Sequence, residues 1–222
     1  MKIDGIVVLN KPTGMNSMKA VKKVQHALQA DKAGHLGTLD PLGTGVLVVA
    51  LGKATKLFEK HLTVNKTYKA IFKFGIETDT FDSDGKITNE QECDIDLDSV
   101  KNACKTLVGK QAQLPPRYSA KKINGKKAYE LARNDQEFVL KPKEIEIFKF
   151  DCLEQVEKNT FLFEIDCSAG TYIRSCCRDL AEKLGTVGTM VAIIRTKSGE
   201  YTIDQSVTYE NLSLDNVLKV KI

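Results

Sequence analysis

Residues 34–47 read GHLGTLDPLGTGVL, and the rest of the chain is read outward from this stretch. It sets one carboxylate, Asp40, between a Gly-Thr pair and a proline, follows it with Gly43 and Gly45, and runs into the apolar segment from Val46 to Leu51. Pro41 fixes its own φ and biases Asp40 towards extended backbone, while the glycines permit tight turns or close approach by another molecule's backbone. The pattern predicts a loop that holds an acid stiffly at the entrance of a core strand. As a dipeptide, Asp-Pro is also ordinary turn chemistry, with the carboxylate closing an Asx-turn. A structural and a functional Asp40 both fit it.

On the N-terminal side, Gly5 to Leu9 reads as a short buried strand, and Asn10-Lys11-Pro12-Thr13-Gly14 as a turn too rich in breakers to continue it. Ser17 is placed to cap a helix with Val21, Val24 and Leu28 as its apolar stripe. Lys19, Lys22 and Lys23 lie off that stripe, as a solvated face or as one that meets RNA. On the C-terminal side, Ala54 to His61 reads as a short helix with Leu57 and Phe58 inward. Lys66 to Phe74 then alternates, with Tyr68, Ala70, Phe72 and Phe74 on one face of a strand. Residues 79–85 are acidic, but ligands required of a helix-loop-helix calcium loop are missing, so they read as a turn with structural carboxylates supported by basic groups. Asp98 or Ser99 is expected to cap a helix that buries Val100, Ala103, Cys104 and Leu107 and ends at Gly109.

The character changes in LPPRYSAKKINGKKAYELAR, residues 114–133. Arg117, Lys121, Lys122, Lys126 and Lys127 are positive with no acid between 117 and 127, and Asn124-Gly125 is a hairpin-turn signal among them. Such a hairpin, carrying Tyr118 and Tyr129, suits phosphate contacts with aromatic support; a lysine-rich exposed loop has the same composition. Apolar strands follow near Glu144 to Leu153 and Thr160 to Cys167. After Ser168-Ala169-Gly170 the period becomes helical, with Ile173, Cys176, Cys177, Leu180 and Leu184 as a stripe that stops at Gly185. Arg174 and Arg178, four apart, are expected to share a different face of that helix. Met190 to Ile194 and Tyr201 to Ile203 read as strands, and the tail as a short amphipathic segment with Leu214, Val217 and Leu218.

Composition bounds the function. A chain of 222 residues with 42% hydrophobic and 28% charged content has enough apolar matter for one core or two joined lobes and is not of disordered composition. The net charge of +4 is too small to name a polyanionic partner by itself, so the clustering at 117–127 carries more weight. The six cysteines form no CxxC and fall mostly at apolar positions, which predicts buried free thiols. His26, His35 and His61 form no metal-ligand pattern, and neither a signal peptide nor a membrane span is expected. A cytoplasmic protein is the expectation.

Four separated strings resemble a known family: GHLGTLDP at Asp40, KTY at Tyr68, RYSAKKINGKKAYE at the basic hairpin and GTYIR at Tyr172 and Arg174. They are similar to the bacterial tRNA pseudouridine-55 synthases, the TruB-like family, over residues 3 to 205. The resemblance implies an α+β pseudouridine synthase fold: a continuous, mixed, mostly antiparallel sheet in two lobes flanked by helices, with a projecting basic hairpin. It implies one catalytic domain over 1–222, acting without metal or cofactor on uridine 55 of the tRNA T-arm as a monomer. Asp40 is then the catalytic carboxylate and Arg174 its charge partner. Tyr68 stacks on the target base, Tyr172 lies near its reactive edge, and Ile193 belongs to the base pocket. His35 helps to disrupt the RNA loop, and Arg117, Lys121, Lys122, Lys126 and Lys127 contact RNA. Two departures accompany the match. No separate C-terminal RNA-binding domain (a PUA domain) is expected, and a single Arg195 stands where relatives often show adjacent arginines. The rival readings are a guide-directed pseudouridine synthase and an RNA-binding or RNA-folding protein.

Overall fold

A computed structural model describes residues 3–123 and 125–221. In chain order the elements are β1 (Gly5–Lys11), α1 (Ser17–Ala27), β2 (Ala33–His35), β3 (Thr44–Leu51), a 3-10 turn (Gly52–Leu57), α2 (Phe58–His61), β4 (Lys66–Phe74), β5 (Ile76–Thr78), β6 (Ile87–Glu90) and α3 (Leu97–Thr106). There follow β7 (Gly109–Gln113), β8 (Lys122–Ile123), β9 (Lys126–Lys127), α4 (Ala128–Arg133), β10 (Lys143–Glu157), β11 (Thr160–Cys167), α5 (Ile173–Lys183), β12 (Gly188–Ser198) and β13 (Tyr201–Thr202). The fold is α+β, and its large mixed sheet has the hydrogen-bonded order β1-β3-β12-β4-β11-β10-β7, with β2 on β3 and β13 on β12. The chain divides into two compact units, Met1–Lys69 with Ile193–Ile222, and Ala70–Ala192.

In the first unit β3 is the central strand. It pairs antiparallel with β1 from Gly5↔Leu51 to Lys11↔Gly45, antiparallel with β2, and parallel with β12 at Ile194↔Thr44 and Arg195↔Gly45. All of β3 after Thr44 is buried, which explains its unbroken apolar run. Ile6, Val8, Leu36, Val46, Val48, Ala50, Ala54 and Tyr201 form one core cluster. The tail covers the other edge of β1 through reciprocal backbone bonds of Leu218 with Ile6, and of Val207 with Val8 and Asn10.

In the second unit β11 pairs antiparallel with β10, and β10 with β7. Phe72, Phe150 and Phe163 interlock with ring centroids 4.7–6.3 Å apart, the distances at which tilted and edge-on aromatic pairs are favourable. Helix α3 packs on β10 and α5. All six cysteines lie in this unit; Cys104, Cys152, Cys167, Cys176 and Cys177 are buried, Cys93 is partly so, and all are free thiols. Among the described residues no helix is long and apolar enough to cross a membrane.

Several local expectations are corrected. Asn16, not Ser17, caps α1, its Oδ1 accepting from Lys19 N at 2.8 Å, because the Ser17 hydroxyl turns inward to Leu39. Asp96, not Asp98 or Ser99, caps α3, since its carboxylate accepts both the amide and the hydroxyl of Ser99. Phe58, expected inward, is 42% exposed: the 3-10 winding of residues 52–57 advances side chains faster per residue than an α-helix and turns it out. The tail forms one 3-10 turn, Leu214–Asn216, with Leu214 and Leu218 exposed, because Leu218 engages Ile6 through its backbone and not its side chain. In the basic segment β8 pairs with β9 at Lys122↔Lys127 and Ile123↔Lys126. Of the expected Asn124-Gly125 turn, Asn124 lies outside the described residues and Gly125 takes φ +83°.

Candidate active site

Asp40 sits half-buried in the loop between β2 and β3, and the loop's backbone is fixed residue by residue. Arg195 donates from Nη2 to Gly37 O (3.3 Å), from Nη1 to Thr38 O (3.1 Å) and from Nε to Val46 O (2.8 Å). The Ser17 hydroxyl brackets Leu39, donating to its carbonyl and accepting from its amide, both at 2.8 Å. Gly43 N donates to Asp40 O at 3.0 Å and Gly14 N to Pro41 O at 2.9 Å. Lys11 Nζ reaches Pro41 O at 3.2 Å, and Thr13 Oγ1 reaches Leu42 O at 3.2 Å. Every backbone carbonyl from Gly37 to Leu42 thus accepts a hydrogen bond, which leaves the loop little freedom to carry the carboxylate elsewhere.

Lys11 has no exposed surface and also donates to Pro12 O and Met15 O. Burial lowers its ammonium pKa to about 8; the negative charge of Asp40 opposes that shift and the positive charge of Arg195 adds to it. These three ionisable groups therefore share one local field. His35 ends β2 opposite Val49 and is partly exposed, Tyr68 is buried on β4, and Ile193 is buried on β12 with its carbonyl accepting from Thr44 Oγ1 at 3.1 Å.

The second unit holds the other candidates. Tyr172 is the residue before α5 and is partly exposed; the Gln113 side chain clasps its backbone, accepting from Tyr172 N at 2.8 Å and donating to Tyr172 O at 3.2 Å. Arg174, expected on a face away from the apolar stripe, is only 4% exposed, because the first turns of α5 are buried on all sides. Its Nη1 donates to Thr80 O at 3.0 Å, its Nη2 to Tyr118 O at 3.1 Å, and its Nε lies 3.4 Å from the buried Asp82 carboxylate. Asp82 also accepts from Thr80 Oγ1 and Asp84 N, so the acidic turn is the structural, base-supported turn that its composition implied. Among the basic residues, Arg117, Lys122 and Lys126 are exposed. Lys121 is tied to Lys141 O at 2.6 Å, and the Lys127 ammonium lies 5.4 Å from the centre of the Tyr129 ring.

Comparison with known proteins assigns the chain. A model of the N-terminal domain of TruB family pseudouridylate synthases matches residues 25–173, more than half of the chain. The chain belongs to the TruB family. A model of the tRNA pseudouridylate synthase B C-terminal domain matches residues 174–219 of this TruB-family chain. The tRNA pseudouridine synthase B of Alkaliphilus oremlandii is 40% identical over 97% of this chain and 72% of its own length. That of Ureaplasma urealyticum is 39% identical over 93% of this chain and 91% of its own. A chain of a solved Cbf5–Nop10–Gar1 complex is 29% identical with a TM-score of 0.74; it covers 95% of the TruB-family chain, which spans about half (54%) of that protein.

Three residues that hold the Asp40 loop from other elements escape motif reading. Lys11 looks like part of a turn, yet β1 continues through it, and strand parity places it with the buried Val7 and Leu9. Arg195 likewise shares parity with the buried Ile193. That period-2 position is the signal by which Arg195 could be found, whereas β1 is buried on both faces from Gly5 to Leu9 and parity alone does not single out Lys11. Ser17 carries no such signal, since its hydroxyl serves a residue far along the chain.

Proposed function

We propose that this TruB-family chain isomerises uridine 55 in the T-loop of tRNA to pseudouridine, acting in the cytoplasm as a monomer and without a guide RNA. The N1–C1′ bond of the uridine breaks, the freed base turns, and it rejoins the ribose through C5. Asp40 is the catalytic carboxylate. The observation that carries this reading is the immobilised loop around it: an acid on a backbone whose consecutive carbonyls are all engaged is held ready for chemistry and needs little reorganisation. Attack by the carboxylate on the sugar or base and removal of a ribose proton both require Asp40 ionised. Arg174 is assigned to favour that charge, Tyr68 to stack on the base, Tyr172 to its reactive edge and Ile193 to the pocket wall. His35 takes the place of the everted nucleotide, whose unstacking costs a few kcal/mol that pocket contacts must offset.

Purified protein incubated with an unmodified tRNA transcript is expected to yield pseudouridine at the T-loop uridine, and Asp40→Asn to abolish conversion while RNA binding and melting temperature persist. No product from wild-type protein that binds the RNA would overturn the assignment. Conversion that required an added guide RNA would instead favour the ribonucleoprotein reading, which the likeness to the Cbf5 chain motivates.

A further inference from the structure

We infer that Arg195 is a positioning residue for the reaction: its guanidinium clamps both stems of the Asp40 loop and so sets where the carboxylate can stand. The inference rests on the catalytic reading of Asp40 proposed above.

The geometry is that of a clasp. Gly37 and Thr38 precede Asp40 and Val46 follows it, and one planar group donates to all three carbonyls from three different nitrogens. No other side chain combines a rigid fork of donors with this reach; a lysine ammonium in the same place is a point charge on a flexible stem. Arg195 is 1% exposed, and its described partners are all backbone carbonyls. Burying a cation is costly, and here hydrogen bonds to three carbonyls that would otherwise lose these donors offset that cost. Close approach reinforces the clasp. Gly45 at φ +89° lets the Arg195 carbonyl come so near that a β-carbon there would lie 2.4 Å from it, and the parallel register Arg195↔Gly45 aligns the two segments.

The charge has a second consequence, because the Arg195 guanidinium acts on Lys11, which in turn feels Asp40. That positive charge adds to the burial that lowers the Lys11 ammonium pKa, and the negative charge of Asp40 opposes it. Arg195 touches no reacting atom; it acts through the backbone that carries Asp40.

The test uses the full chain with two variants. Arg195→Lys keeps the charge but cannot reach three carbonyls in fixed directions, and Ser17→Ala releases Leu39 from the same loop while leaving Arg195 in place. Single-turnover conversion at saturating tRNA should fall about 10- to 100-fold in Arg195→Lys, the cost of displacing a reacting group by about 1 Å. The tRNA dissociation constant should stay at the wild-type value, which separates positioning from binding. Amide hydrogen exchange over residues 36–46 should accelerate in Arg195→Lys while peptides of the second unit keep their wild-type rates. A folded Arg195→Lys with wild-type turnover and wild-type exchange in that segment overturns the clamp. Should Arg195→Lys fail to fold, Ser17→Ala decides: a loss of turnover at unchanged affinity supports control of catalysis by the loop backbone, and unchanged turnover overturns it. If the wild-type chain binds tRNA but makes no pseudouridine, the catalytic assignment of Asp40 has failed, and the exchange experiment still supports or rejects the clasp itself.

Discussion

Replacing Gly45 by alanine should cost measurably more than replacing Gly14, although both glycines have positive φ (+89° and +75°). An alanine at either site takes a left-handed backbone conformation, at about 1–2 kcal/mol, and the stiffening of the unfolded chain by the extra methyl group cancels between the two. Only the surroundings differ. At Gly14 nothing lies within 4 Å of the new β-carbon, whereas at Gly45 it would meet Arg195 O at 2.4 Å and Ile194 Cγ1 at 2.8 Å. Relief requires β3 and β12 to part, and forced overpacking of this kind costs about 1–3 kcal/mol. For a chain of this size each kcal/mol lowers the melting temperature by about 2–4 °C, so Gly45→Ala should melt roughly 4–8 °C below Gly14→Ala, for a difference of about 2 kcal/mol. Thermal denaturation followed by circular dichroism at pH 7 measures this directly. Equal melting temperatures for the two variants would refute the claim that the β3–β12 approach is tight.

The basic hairpin and the buried histidine give two further expectations. Replacing Lys121, Lys122, Lys126 and Lys127 together by alanine should weaken tRNA binding and flatten its log–log salt dependence by about one for each phosphate that the hairpin no longer neutralises, with little change in single-turnover rate at saturation; an unchanged salt slope would show that the hairpin meets no phosphates. His61 is buried, hydrogen-bonded to Ser198 at 3.0 Å, and held at a pKa of about 4 by burial and then by the positive charges of Lys66 and Arg195. Because the unfolded chain takes up that proton near its ordinary value of 6.5, stability should fall as pH drops from 6.5 to 4, by at most about 3 kcal/mol from this group. Urea denaturation of wild type and His61→Gln across that range should show a shallower acid slope for the variant, and identical slopes would rule out His61 as a source of acid sensitivity.

What could be read from the chain follows a physical division. Strands with one buried face announce themselves by alternation, so Thr160–Cys167 and the β4 face of Tyr68, Ala70, Phe72 and Phe74 were legible, while the buried Lys66 at the start of β4 was not. The loop at Asp40 was legible because glycines and proline flank a single acid. Contacts between a side chain and a distant backbone were not, since a carbonyl has no residue-specific signature in sequence. This is why Arg195 looked like a mere departure from family pattern and Ser17 like a helix cap. The buried pair of Arg174 and Asp82 was hidden for a related reason: periodicity separates apolar from polar residues and cannot tell a solvated arginine from a paired, buried one. The 3-10 turn before α2 defeated the inward assignment of Phe58 because its period differs from the helix assumed.

The distribution of cysteines makes the two compact units chemically unequal. Every thiol belongs to residues 70–192, and burial pushes those of Cys104 and Cys152 up to about 12 and about 11, so at neutral pH they carry almost no reactive thiolate while the fold is intact. A thiol-selective reagent consumed by this protein beyond the partly exposed Cys93 therefore reports one event, the opening of that unit. The unit that carries Asp40 contains no thiol and gives no signal. Thiol damage past Cys93 requires the unit that holds Tyr172 and the basic hairpin to open, with the carboxylate loop itself containing no sulfur atom to attack.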